Sequence, residues 1–340
     1  MPYLKSLVDY WLNGFDWRAQ ESRLNRLTQF KARVDGLDIH FVHEKGRGPS
    51  PKPLILTHGW PGSFLEFETL IPMLVDPAAY GADPSDSFDV VIPSLPGYAF
   101  SEAPKAPGMN TRAIADIWRK LMTGLGYDRF GAQGGDIGAG VSFWLARNYP
   151  ADLIGLHVNY IPASFRSPSP GGTPPKEDQA YRERVADWLA LEGGYSHLQA
   201  TKPQTLAFAL SDSPAGLAAY LVEKFRTWSD SSGDIASVFS KDELLTNICL
   251  YWFSNSLEAS LRLYKENRQA PLAFETDERV KVPLGVAMFP RELPTPPRSW
   301  VENVFDVQRW STLPRGGHFA ALEQPTQLAS EIRTFFRTCV

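Results

Sequence analysis

From about residue 50 to 160 the chain alternates short apolar runs with helix-forming stretches; the alternation then stops and resumes near residue 280. No other feature constrains the fold as much. Strands that alternate with helices signal a parallel sheet covered by helices. Strands are expected at 53–57, 89–92, 130–134 and 153–160, then at 280–289 and 305–312. Helices are expected at 111–125, 138–148 and 326–336. A Pro-, Ser- and Gly-rich stretch at 162–175 leads into a block, 177 to about 268, with helical periodicity almost throughout. A helical block that interrupts a βα series is an insertion. The expectation is therefore a core of residues 46–160 and 271–340 with a helical cap at 161–270. Ahead of it, residues 1–45 read as an extension. It holds an amphipathic helix with Leu4, Leu7, Val8, Trp11 and Leu12 on one face, then a hairpin about Asp35-Gly36.

Composition excludes several classes of function. The chain has 340 residues and a net charge of −4, which gives no electrostatic case for nucleic acid or an anionic membrane. Its two cysteines, Cys249 and Cys339, make neither a metal spacing nor a disulfide framework. The start lacks the basic region and apolar stretch of a signal peptide. No run approaches the roughly 18 apolar residues of a membrane span. A cytoplasmic protein without a membrane anchor is expected, and a homo-oligomer is not derivable from the residues. The 10 Trp, 12 Tyr and 20 Phe fit a large core, an aromatic pocket, or both.

Between an expected strand and an expected helix lies Gly134-Gly135-Asp136-Ile137-Gly138. Small residues two before and two after a polar one are the pattern of a nucleophile elbow, a turn too tight for larger neighbours. With the interrupted βα series, the elbow points to the α/β-hydrolase fold: a mostly parallel central sheet flanked by helices, with an inserted helical cap. The elbow residue is Asp, which changes the chemistry. A serine attacking an alkyl carbon would leave an ether. A carboxylate leaves an ester, whose carbonyl water can attack. Epoxide opening and dehalogenation are reactions of that type. The plainer reading is a loop in which Asp136 caps the next helix.

The remaining parts follow in the order this fold uses. His58-Gly59-Trp60-Pro61 ends the 53–57 strand, where an oxyanion loop belongs. The backbone N–H groups of Trp60 and Ile137 are the candidate donors, and Trp60-Pro61 is a candidate cis peptide. Of six histidines, His40, His43, His58, His157, His197 and His318, only the last follows the final strand. It is the candidate base. Glu292 follows the 280–289 strand and is its candidate partner. Asp306, Asp277 and Glu278 lie at the wrong ends of their strands. Opening an epoxide also needs donors over Asp136. The cap offers Tyr181, Tyr195, Tyr220, Tyr251 and Tyr264, and the residues alone do not choose among them.

The chain resembles the microsomal-type epoxide hydrolases, a group that includes juvenile-hormone and bacterial members. The likeness rests on His58-Gly-Trp-Pro-Gly-Ser63, Pro93-Ser-Leu-Pro-Gly-Tyr98 and Gly134-Gly-Asp-Ile-Gly138. In the cap it rests on Gly194-Tyr-Ser-His-Leu-Gln199, Glu223-Lys-Phe225 and Leu263-Tyr-Lys-Glu-Asn267, and beyond it on Phe289-Pro-Arg-Glu292 and Arg315-Gly-Gly-His-Phe319. The resemblance implies Tyr195 and Tyr264 as donors to the epoxide oxygen. It also implies Asp136 as nucleophile, Glu292 as acid, His318 as base, an epoxide and water as substrates, and neither cofactor nor metal. Three departures stand out. Ile137 replaces a frequent Trp, Arg291 replaces a frequent apolar residue, and the family's N-terminal region is shortened. Haloalkane dehalogenase is the nearest rival, but it usually wants indole N–H groups around the departing halide, one of them often just after the nucleophile, where this chain has Ile137. A non-catalytic ligand-binding member of the fold is the rival of another class.

Overall fold

The protein is described by a computed structural model that covers residues 2–167 and 175–339. Residues 168–174, half of the expected linker at 162–175, therefore lie outside the described residues. One sheet of eight strands forms the centre: β1 (Gln29–Val34), β2 (Leu37–Glu44), β3 (Lys52–Thr57), β4 (Phe88–Pro93), β5 (Phe130–Gly134), β6 (Leu153–Val158), β7 (Val280–Met288) and β8 (Phe305–Thr312). Their order is β1-β2-β4-β3-β5-β6-β7-β8. β2 is antiparallel to both neighbours, and every other pairing is parallel. The hairpin expected in the N-terminal extension is thus the edge of the same sheet, which begins well before residue 46. Asp35 (φ 48°) and Gly36 (φ 80°) make its two-residue turn.

The strands read as apolar runs because they are covered on both faces. Helices Thr111–Gly124 and Asp136–Asn148 pack on one side, and Pro325–Thr338 on the other. β5 is built from Phe-Gly-Ala-Gln-Gly and is buried throughout. Its small residues make room for the last helix: a Cβ on Gly131 would lie 2.5 Å from the Phe336 ring.

Among the described residues, six α-helices come between β6 and β7: Lys176–Glu192, Gly194–Thr201, Pro203–Ser211, Pro214–Trp228, Lys241–Phe253 and Leu257–Asn267. They separate β6 from β7 along the chain. Ser240 and Glu243 close a capping box at the start of the fifth. The N-terminal helix Pro2–Asn13 packs on this block. Tyr10 Oη donates to Asp242 at 2.8 Å, and Lys241 Nζ to Ser6 Oγ at 2.7 Å. Leu7 is buried there, but Leu12, expected on the same face, is 79% exposed. Five residues along a helix turn the side chain by about 140°, which carries Leu12 off the contact centred on Leu7.

Candidate active site

Helix Asp136–Asn148 starts one residue after β5 ends. Asp136 itself has φ 46°, left-handed for a residue that is not glycine. The closeness of the turn explains its glycines. A Cβ on Gly134 would lie 2.3 Å from the Gly138 carbonyl, and one on Gly138 would lie 1.9 Å from the Thr57 oxygen. Only a chain without side chains at both places can lift Asp136 above the sheet.

The loop after β3 meets this carboxylate from the side. The Trp60 N–H donates to Asp136 Oδ1 at 2.8 Å. A Cβ on Gly59 would lie 2.3 Å from that same oxygen, so the loop reaches it only through glycine. The Trp60-Pro61 peptide is cis. Ile137 follows Asp136 in the first turn of its helix, where backbone N–H groups have no intrahelical acceptor. The cap fixes the loop. Asn247 Nδ2 donates to the Pro61 carbonyl at 2.8 Å, Tyr251 Oη to that of Gly62 at 2.7 Å, and Ser63 Oγ to Asn247 Oδ1 at 2.9 Å.

His318 completes a row of three. Its Nε2 lies 3.4 Å from Asp136 Oδ2, and its Nδ1 2.5 Å from Glu292 Oε1. Gly316-Gly317 lets the loop turn tightly beneath the cap: Gly316 has φ 108°, and a Cβ on Gly317 would lie 2.6 Å from the Trp228 carbonyl. That carbonyl accepts the His318 N–H at 2.9 Å. Burial opposes a charge on this imidazole. The Glu292 and Asp136 carboxylates outweigh burial and raise its pKa well above the usual value. Of the rival acids, Glu278 pairs with Arg147, and Asp306 accepts from Gln308. The other histidines sit apart from this row. His40 bonds Ser94 and His43 bonds Tyr127, while buried His58 bonds the backbone of Gly59 and Leu95.

On its other side Asp136 faces a cavity of about 560 Å³, mostly apolar, whose walls include Ile137, Tyr160, Trp188, Tyr195 and Tyr264. The Tyr195 ring stacks on the Trp60 indole at 5.4 Å. Tyr264 stands edge-on to both, 5.8 Å from each. Burial raises the pKa of both phenols, so they hold their protons and remain donors. The other cap tyrosines are engaged elsewhere: Tyr181 against Trp300, Tyr220 Oη with Gln199, and Tyr251 Oη with Gly62. Among the described residues no group of three or more His, Cys, Asp or Glu side chains could hold a metal ion.

Residues 1–67 match the family model described as "Epoxide hydrolase N terminus", and residues 52–190 match the "alpha/beta hydrolase fold". "Epoxide hydrolase 1" of Oryctolagus cuniculus is 42% identical over 98% of this chain and 79% of its own length. The chain belongs to the epoxide hydrolase family. Two solved structures of that family superpose closely. The juvenile hormone epoxide hydrolase of the silkworm Bombyx mori has a TM-score of 0.86 and 33% identity, covering 98% of this chain and 84% of that one. The Aspergillus niger epoxide hydrolase has a TM-score of 0.85 and 30% identity, covering 100% and 86%.

Within this epoxide hydrolase, three residues at the site escaped the reading of the sequence. Tyr160 lines the cavity, with its ring 5.6 Å from that of His318. Asn159 and Glu66 lie beside Asp136 and His318 in a second, smaller space. Tyr160 and Asn159 directly follow β6, at the same sheet end as Asp136, and that position is the signal that could have found them. Glu66 lies four residues beyond Gly62, and nothing in its local pattern marks it. Arg291, the departure beside the acid, turns outward, with Nε 3.6 Å from Asp230.

Proposed function

We propose that this epoxide hydrolase converts an epoxide and water to a vicinal diol through an ester on Asp136. The observation that carries the reading is the placement of one carboxylate. Asp136 Oδ1 is held by the Trp60 N–H, Oδ2 faces His318, and the cavity beside them holds Tyr195 and Tyr264. The epoxide lies in the cavity with its oxygen toward the two phenols. Asp136 attacks a ring carbon from the opposite side. The C–O bond of the ring breaks, and a phenol gives its proton to the departing oxygen.

The resulting ester keeps its carbonyl oxygen against the Trp60 and Ile137 N–H groups. His318, held in one tautomer by Glu292, takes a proton from water, and the hydroxide adds to the ester carbonyl. The tetrahedral intermediate collapses, the diol leaves with a proton from His318, and Asp136 returns as carboxylate. The one proton this releases restores the phenol, so the cycle closes without net change.

The test is a single turnover of styrene oxide in ¹⁸O-labelled water. Label in the Asp136 peptide, with unlabelled first diol, is expected. Labelled diol with an unlabelled protein would mean direct attack by water and would overturn the ester route.

A further inference from the structure

Asp136 is a wall shared by two compartments. The large cavity on one side carries Tyr195 and Tyr264. On the other side is a chamber of about 20 Å³ whose walls include Asp136, His318, Glu66, Asn159, Trp60 and Phe319. Neither phenol lines the chamber, and neither His318 nor Glu66 lines the cavity. A space of this size holds about one water, provided polar groups face it. Here Asp136, His318, Glu66 and Asn159 supply them.

Glu66 is the ionisable member with no place in the mechanism above. It lies in the short 3₁₀ turn Phe64–Phe67, capped by the Ser63 hydroxyl. Its carboxyl fills the space over Gly62, where a Cβ would lie 1.4 Å from Glu66 Oε1. The glycine of the Trp-Pro-Gly loop is therefore needed to admit this carboxyl beside the nucleophile. Burial raises its pKa to about 8, against the smaller lowering influence of His318, so at neutral pH it is largely a carboxylic acid. That form costs far less than a third buried anion next to Asp136 and Glu292. It can also accept one hydrogen bond and donate another.

We propose that Glu66 positions the hydrolytic water in this chamber, on the face of the Asp136 ester turned away from the substrate cavity. The inference rests on the ester route. One water O–H points to His318 Nε2 and the other to the Glu66 carboxyl, leaving a lone pair aimed at the ester carbon. The first proton passes to His318 as the oxygen bonds to that carbon. Glu66 neither gains nor loses a proton.

The experiment follows the two half-reactions separately, using stopped-flow tryptophan fluorescence and mass spectrometry of trapped ester. The proteins are wild type, Glu66→Gln, and Glu66→Asp, which withdraws the carboxyl by one methylene. Ester formation is expected to stay within about threefold of wild type in both variants. Ester hydrolysis is expected to slow by tenfold or more, so that ester accumulates. Unchanged hydrolysis in a folded variant overturns the role, as does an equal fall in both half-reactions. Failure of both variants to fold assigns Glu66 to the fold instead and also overturns it. Absence of ester in every protein, His318→Gln included, would instead overturn the ester route.

Discussion

Trp60 joins the two halves of the site. Its backbone N–H donates to Asp136 Oδ1 at 2.8 Å, while its indole lies flat on the Tyr195 ring, 8° between planes. The peptide belongs to the core loop after β3, and the tyrosine belongs to the cap. One residue thus touches both the carboxylate proposed as nucleophile and a phenol proposed as donor. Cap and core cannot shift against each other without disturbing both.

That arrangement separates the roles of the phenols from that of the oxyanion loop. Tyr195→Phe and Tyr264→Phe each keep the ring packing and remove one donor. Each is expected to slow ester formation by about 10–100-fold and the double variant by about 10³-fold. Ester hydrolysis should change little. Stopped-flow ester formation checks this, and an equal loss in both half-reactions would count against the phenols as donors.

The charge on His318 is set by its carboxylate neighbours. Burial disfavours the imidazolium, yet Glu292 and Asp136 raise its pKa well above the usual value. The two carboxylates therefore favour the imidazolium in the free enzyme, and an imidazolium is no base. In the proposed ester Asp136 carries no charge, so that support for the imidazolium is lost and the imidazole is free to act as base when water must be activated. Asp136→Asn imitates that neutralisation. It should abolish turnover and lower the His318 pKa, read by NMR titration of the imidazole. Hydrolysis of trapped ester should rise with pH through a pKa below that of the free enzyme. An unchanged His318 titration in Asp136→Asn would remove this explanation.

Glu292 holds the other ring nitrogen at 2.5 Å and accepts the Leu293 N–H through the same oxygen at 2.7 Å. Glu292→Gln keeps the shape but loses the charge that fixes the tautomer. Hydrolysis is expected to slow by about 10²–10⁴-fold, with ester accumulating. A variant that hydrolyses ester at the wild-type rate would send the search for the acid elsewhere.

How much of this was legible in the residues depends on distance along the chain. The elbow was legible because Gly134 and Gly138 stand at a fixed spacing, two residues on either side of Asp136, although the carbonyl that keeps Gly138 bare is that of Thr57 on a neighbouring strand. The order Asp136, Glu292, His318 was legible because each follows a strand at the same sheet end. The choice of Tyr195 and Tyr264 was not, since it depends on how the cap helices pack on Trp60. Resemblance implied that choice, and helical periodicity did not. The first hairpin was found, but its membership in the central sheet was not, because β2 pairs with β4 some 50 residues away. Glu66 stayed hidden for the same reason: its carboxyl comes to share a chamber with His318 only through the fold.

The buried carboxyl of Glu66 also has a consequence for stability, with a sign that can be worked out. Its pKa is raised, mainly by burial, to about 8, while in the unfolded chain it is that of an ordinary glutamate, about 4.3. Between those values the folded protein binds a proton that the unfolded chain has lost. Stability therefore falls as pH rises through that window. Glu66→Gln cannot ionise and escapes the loss. Its melting temperature relative to wild type is expected to climb from about pH 4.5 to pH 8 and then level off. Thermal melts at half-unit pH steps measure this. A constant difference across the range would mean that Glu66 is already ionised in the folded protein. A rising one would mean that the fold gives up stability to keep this carboxyl beside the nucleophile, as function-bearing residues commonly require.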